Sequence, residues 1–146
     1  MGEQTGKTSA STEIRAALAC RLRHRTRGRG LSPTAGEVEI ENVSPEVIEI
    51  EVRMHPLQYL DLVITDAAGN TIPAPPYGHV FSPREIPYTL RLAAGEKYTH
   101  NVSLLGNIPE EKRLPGTYTV RAVYDYRGLR AVSEPLQVQL PAKGSG

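Results

Sequence analysis

From Gly36 to Leu140 the chain alternates apolar and polar residues with a period of two. Val38, Ile40 and Asn42 alternate with Glu37, Glu39 and Glu41, and Ile48, Ile50, Val52 and Met54 with Glu49, Glu51 and Arg53. A period of two sends successive side chains to opposite faces of an extended strand, so each run reads as a strand with one buried and one wet face. The pattern returns at Leu60, Leu62 and Ile64, at Ile86, Tyr88, Leu90 and Leu92, and at Tyr98, His100, Val102 and Leu104. It returns again at Tyr118, Val120, Ala122 and Tyr124, and at Leu136, Val138 and Leu140. Between the runs lie the turn signals VSPE, DAAGN, AAGE, LGNIPEEKRLPG and YRG. The crossing TIPAPPYGHVFSPREIP carries five prolines, which excludes a regular central strand there.

Strands with one wet face and no intervening helix predict an all-β fold: a seven-stranded antiparallel immunoglobulin-like β-sandwich over residues 36–141, with strands A, B, E and D facing C, F and G. With no Trp and a single Phe, its core has to be aliphatic, with tyrosines at its margins. The stretch GTYTVRAVYDY is expected as strand F. Tyr118 follows Gly116 by two residues, which suits a buried ring whose hydroxyl bonds back to the chain just upstream. Both are read as structural.

The first thirty residues differ in kind. They carry Lys7, Arg15, Arg21, Arg23, Arg25, Arg27 and Arg29 against Glu3 and Glu13, a net +5, whereas the rest of the chain carries a net −4. Residues 1–35 are expected as a basic flexible tail, with a short helix over 12–24 because Ile14, Leu18 and Leu22 recur every four residues. Residues 142–146 are expected as a flexible C-terminus. Arg21, Arg23, Arg25, Arg27 and Arg29, without interleaved aromatics, would bind nucleic acid or another anionic surface in a salt-sensitive, sequence-blind way. No apolar run approaches the roughly 20 residues of a membrane span, and none has the apolar centre of a secretory signal.

Motifs for chemistry are missing. The lone Cys20 excludes an internal disulfide and a cysteine-based metal site within one chain. There is no GxSxG, no Walker A loop and no dinucleotide fingerprint. His24, His55, His79 and His100 share no i, i+4 spacing, and His55 with His79 and Asp61 or Glu85 is a weak zinc combination. His100, with the parity of Val102, is read as a hydrogen-bonded residue at the core edge. No enzyme activity, no cofactor and no metal are expected.

The segments LRLAAGEKYTHNVSL, LPGTYTVRAVYDY and SEPLQVQL resemble the second half of bacterial immunoglobulin-like or fibronectin type III-like accessory domains. They are also similar to the sandwich segment beside deuterolysin-type metallopeptidase domains. The HExxH of those peptidases is absent, so the resemblance implies an accessory module, in an extracellular or cell-envelope setting, and not a protease.

Two outer faces are then expected. If A pairs with B, Glu37, Glu39 and Glu41 face Glu49 and Glu51, and this like-charge ladder needs an offset from solvent, cations, Arg53, Arg91 or the tail. The other face offers Tyr59 and Val63 on C, Arg121 and Val123 on F, and Tyr126, Arg127 and Arg130 at the F–G turn. Tyr and Arg favour interfaces, so these seven residues are the candidate partner site. The expected function is a non-catalytic module that binds another protein or domain. The alternatives are an inhibitory or pro-segment module of a hydrolase, or nucleic-acid binding through the tail.

Overall fold

The computed structural model describes residues 17–25, 33–75, 77–80, 82–83 and 86–141. They form nine strands, all paired antiparallel: β1 (Leu18–His24), β2 (Ala35–Asn42), β3 (Ile48–Val52), β4 (Leu60–Thr65), β5 (Tyr88–Leu92), β6 (Lys97–Ser103), β7 (Gly116–Tyr126), β8 (Leu129–Val132) and β9 (Leu136–Leu140). The only helical pieces described are 3-10 turns, such as Pro56–Tyr59.

The long strand β7 pairs with β4 along one edge and with β8 and β9 along the other, the expected C–F–G arrangement. The β7–β8 hairpin turns on Arg127 (φ 50°) and Gly128 (φ 93°). Positive φ at both central residues is the condition of the hairpin turn that matches strand twist. Asp125 Oδ1 accepts the Gly128 N–H at 3.1 Å.

The first half departs from expectation. β2 does not pair with β3. It lies between β1 and β6, while β3 pairs with β5. The two pairings are halves of one bent ribbon, β2–β3 running against β6–β5, and the bend is held by Asn42. This fully buried side chain donates to the carbonyls of Glu46 (2.7 Å) and Leu92 (2.8 Å), and its Oδ1 accepts from the backbone N–H and hydroxyl of Ser44. Its backbone bonds Glu96 and Gly95 across the ribbon. The VSPE signal, read as an A–B turn, is therefore one side of this bend, in which one amide satisfies groups that the interrupted ladder leaves over.

The helix expected over 12–24 is a strand where it is described, from Leu18 to His24; residues 12–16 lie outside the described residues. The four-residue spacing of Leu18 and Leu22 fits a period of two as well as a helix. Cys20 between them is 7% exposed and belongs to the same core. The tail expected over 1–35 thus contributes a sheet strand. The last expected strand, through Leu136, Val138 and Leu140, is β9; an additional strand, β8, precedes it in the expected F–G turn, and between them lies Ser133, whose hydroxyl accepts from Ala122 N–H and whose N–H donates to the Ala122 carbonyl.

All three sheets contribute to one buried cluster: Leu18, Val38, Ile40 and Val102 from the first, Ile48, Ile50, Val52 and Leu92 from the ribbon's far half, and Leu60, Leu62, Ile64, Val120, Tyr124 and Val138 from the third. Tyr118 is buried and donates its hydroxyl to the Leu114 carbonyl, four residues upstream. Gly116 (φ +143°) leads into this strand with a conformation that side chains avoid.

Candidate interaction surface

On β7 the residues Val120, Ala122 and Tyr124 point inward, so Arg121, Val123 and Asp125 point out. The register sets Asp61 and Val132 on either side of Val123, Val63 beside Arg121, and Arg130 beside Asp125. Val123 (half-buried) and Val132 (40% exposed) are therefore direct neighbours, and Val63 (37% exposed) lies on the diagonal from Val123, which makes one small apolar patch across three strands. Around it stand Asp61, Arg121, Asp125 and Arg130, with Arg130 Nε 4.0 Å from Asp125 Oδ2. Four of the seven expected partner residues, Val63, Arg121, Val123 and Arg130, share this face. Val132 was missed because the segment after YRG was read as turn, although Arg130 and Val132 alternate with buried Ala131.

The other three lie elsewhere. Tyr126 continues the inward parity of Tyr124 and is 7% exposed, which corrects its placement in an exposed turn. Its hydroxyl accepts the Glu51 N–H at 3.1 Å, while the Tyr59 hydroxyl donates to the Glu51 carbonyl. The Tyr59 and Tyr126 rings meet edge to face at 4.9 Å. Burial pushes the Tyr59 phenol above its ordinary value. Arg127 bonds the Glu51 carboxylate at 2.6 Å and lies over the Tyr126 ring. Tyr59, Tyr126 and Arg127 thus clasp β3 to the sheet of β4 and β7. Arg127 and Glu51 keep water-exposed sides, but the two phenols have their polar ends committed to backbone.

The outer face of β1, β2 and β6 is closed differently. Glu37, Glu39 and Glu41 face Arg23 and Arg21 across β1, not Glu49 and Glu51. Arg21 Nη1 bonds Glu39 at 2.6 Å and Glu41 at 2.8 Å, and Arg23 bonds Glu37 at 2.8 Å and Glu39 at 3.3 Å. Burial acts to raise the pKa of Glu39, but the hydrogen bonds from both arginines outweigh it and hold the carboxyl below its usual range. The like-charge ladder is therefore offset by two of the arginines assigned to an anion-binding tail. Glu49 pairs instead with Arg91 at 2.6 Å. Arg25 is exposed, and Arg27 and Arg29 lie outside the described residues.

Other sequence candidates resolve plainly. Burial pushes the Cys20 thiol up to about 12, so it is held as an inert thiol at neutral pH. His100 is exposed rather than at a core edge; its Nδ1 donates to the Asn101 carbonyl, and its ring meets His55 edge on at 4.7 Å. His55 Nδ1 accepts from Leu57 N–H. Among the described residues no three acidic, histidine or cysteine side chains converge on a metal-sized site, and the side chains of His79 and Glu85 lie outside them.

No family model matches the sequence and no curated protein matches it. Among solved structures, Northeast Structural Genomics Consortium target SoR45 is 16% identical with a TM-score of 0.40, over 91% of this chain and 92% of that one. A β-glucosidase from Listeria innocua, in complex with gluconolactone, is 14% identical with a TM-score of 0.41; 86% of this chain covers 16% of that one. The β-glucuronidase 2 of Bacteroides uniformis is 17% identical with a TM-score of 0.36, and 85% of this chain covers 13% of it.

Proposed function

We propose that the chain is a non-catalytic immunoglobulin-like or fibronectin type III-like sandwich that binds another protein through the outer face of β4, β7 and β8. In this reading β1, the β2–β3 ribbon and β6 form one layer, and β4, β7, β8 and β9 the other. The cluster of buried residues drawn from all three sheets supports it. The observation that carries the binding role is the contrast between the two outer faces. One is capped by an arginine–glutamate network, whereas the other leaves Val123 beside Val132, with Val63 on the diagonal, partly open to water and rimmed by charges. An apolar centre with a polar rim is the anatomy of a protein interface. The patch is small, which fits a modest contact completed by neighbouring polar groups.

The test uses a photoreactive residue at position 123, with position 99 on the opposite sheet as control, in the cells that make the protein. Crosslinking of a defined partner from 123 alone, competed by the unlabelled protein and lost in Val132→Asp, supports the reading. Equal capture from both positions overturns it.

A further inference from the structure

The arginine row of β1 outruns the glutamate row of β2. Arg21 and Arg23 stand opposite Glu39 and Glu37 in register. One step further, Arg25 donates its backbone N–H to the Ala35 carbonyl, so the residue facing it is Ala35, where a third carboxylate would continue the network. Ala35 in turn pairs with Ser103 on β6. Over this last rung lies an opening of about 290 Å³, lined by Arg25, Thr34, Ala35, Tyr77, Asn101 and Ser103 together with Val102. Among the described residues no carboxylate lines it. Among the described residues the Arg25 guanidinium, the Asn101 amide and the Ser103 hydroxyl have no protein partner, whereas the Tyr77 hydroxyl accepts from the Ser103 N–H at 3.4 Å.

We propose that this opening binds a ligand carboxylate, which takes the place of the glutamate missing opposite Arg25. The guanidinium fork matches a planar carboxylate in a two-point contact. Asn101 and Ser103 supply a donor on the opposite wall, and the Tyr77 ring gives the remainder of the ligand an apolar side. The neighbouring Arg23 is already paired with Glu37 and Glu39, so the charge left open at this end is that of Arg25. The site is separate from the valine face and does not depend on it. Its carboxylate can come from a small free acid or from the end of a peptide chain.

The experiment titrates the ¹⁵N-labelled full chain at low salt with acetate and, as its neutral isostere, acetamide. Acetate should shift the backbone amides of Ala35, Asn101 and Ser103 in a saturable way, and acetamide should not. Arg25→Gln should weaken acetate binding at least about tenfold. Ala35→Glu should do the same with Arg25 intact, because it completes the network from within, and it should raise the melting temperature at low salt. Acetyl-Gly-Gly-Gly with a free carboxylate, against the same peptide as its amide, then separates the sources. A gain of about tenfold or more over acetate assigns the site to chain ends, and equal affinity assigns it to small acids. Identical shifts with acetate and acetamide, or unchanged acetate binding in Arg25→Gln, overturn the proposal.

Discussion

The outer faces of β1, β2 and β6 and of β4, β7 and β8 rest on the same alternation and finish in opposite chemistry. On β1, β2 and β6 every outward glutamate of β2 meets an arginine, and Glu39, between two of them, is only 6% exposed. On β4, β7 and β8 the outward residues include Val123 beside Val132 and Val63 on the diagonal from Val123, with charged residues among and around them. The first face has satisfied its own polar groups and offers a partner little beyond its open end at Arg25. The second leaves apolar area in water, whose burial contributes about 25 cal/mol per Å² before association costs. The difference is why the proposed binding is assigned to the face where the fold has not already used its side chains.

The comparison can be broken most forcefully from the N-terminal side. If β1 is a true member of its face, deleting residues 1–25 removes Leu18 and Cys20 from the core and strips Glu37, Glu39 and Glu41 of their counter-ions. The expected loss is about 4 kcal/mol or more, enough to unfold the remainder or leave it molten. Urea denaturation of the truncated chain checks this. An unchanged midpoint would mean that the arginine strand is an ornament and that the closed face is closed by something else.

Next in size is Tyr126→Ala. A site residue on the valine face would be removed at little cost, but this ring packs on Tyr59 and its hydroxyl holds the Glu51 N–H. Truncation should cost about 3–5 kcal/mol. Tyr126→Phe, which keeps the ring, should cost only about 0.5–1.5 kcal/mol. Near-equal midpoints for wild type and Tyr126→Ala would return Tyr126 to the exposed turn.

The strand β1 and Tyr126 also show where sequence reading succeeds and fails. The strands of the body follow from the alternation because period and burial are local properties of a strand. Tyr126 was legible by the same rule, since it continues the inward row from Tyr118 through Tyr124; reading YRG as a turn cut that row one residue short. β1 was not legible in this way, because a spacing of four satisfies both helix and strand, and its argument is an unpaired edge of β2 more than ten residues away. Asn42 is similar. Its local sequence, NVSPE, reads as a turn, while the bonds that give it meaning reach Leu92 and Glu96, some fifty residues on. The valine patch was half visible, because Val63 and Val123 carry outward parity, while Val132 lies on a strand that the turn signal concealed.

The charged face can be sharpened with pH. The Glu39 carboxyl is held below its ordinary value in the folded chain by Arg21 and Arg23. Between the folded and unfolded values the unfolded chain binds more protons. The stability this group contributes is therefore complete above the unfolded value and is lost as pH falls through the folded one. Glu39→Gln should cost about 1.5–3 kcal/mol at pH 7 and flatten the decline of stability on the acid side of the usual carboxylate range. Glu49→Gln, whose partner pair with Arg91 is more than half exposed on both sides, should cost no more than about 1 kcal/mol. Equal costs for the two would remove the distinction between a closed network and an ordinary exposed pair.

The smallest expected effect on stability is the most informative about function. Val132 is 40% exposed on β8, where it alternates with the buried Ala131. Val132→Asp should change the folding free energy by no more than about 0.5–1 kcal/mol, since a partly exposed strand residue sacrifices some β-propensity and little packing. The same substitution places a carboxylate in the valine patch, in register with Val123 and two residues from Arg130. A partner that buries this patch would have to desolvate the new charge, a cost of several kcal/mol without a matching cation. Binding should therefore fall by at least about a hundredfold while the melting temperature stays nearly still. Val63→Asp, on the neighbouring strand, should repeat the result, and Thr99→Asp on the charged face should not. A large drop in melting temperature for Val132→Asp would show that the valines serve the fold, whereas undiminished binding in both valine variants would move the interface to another part of the molecule.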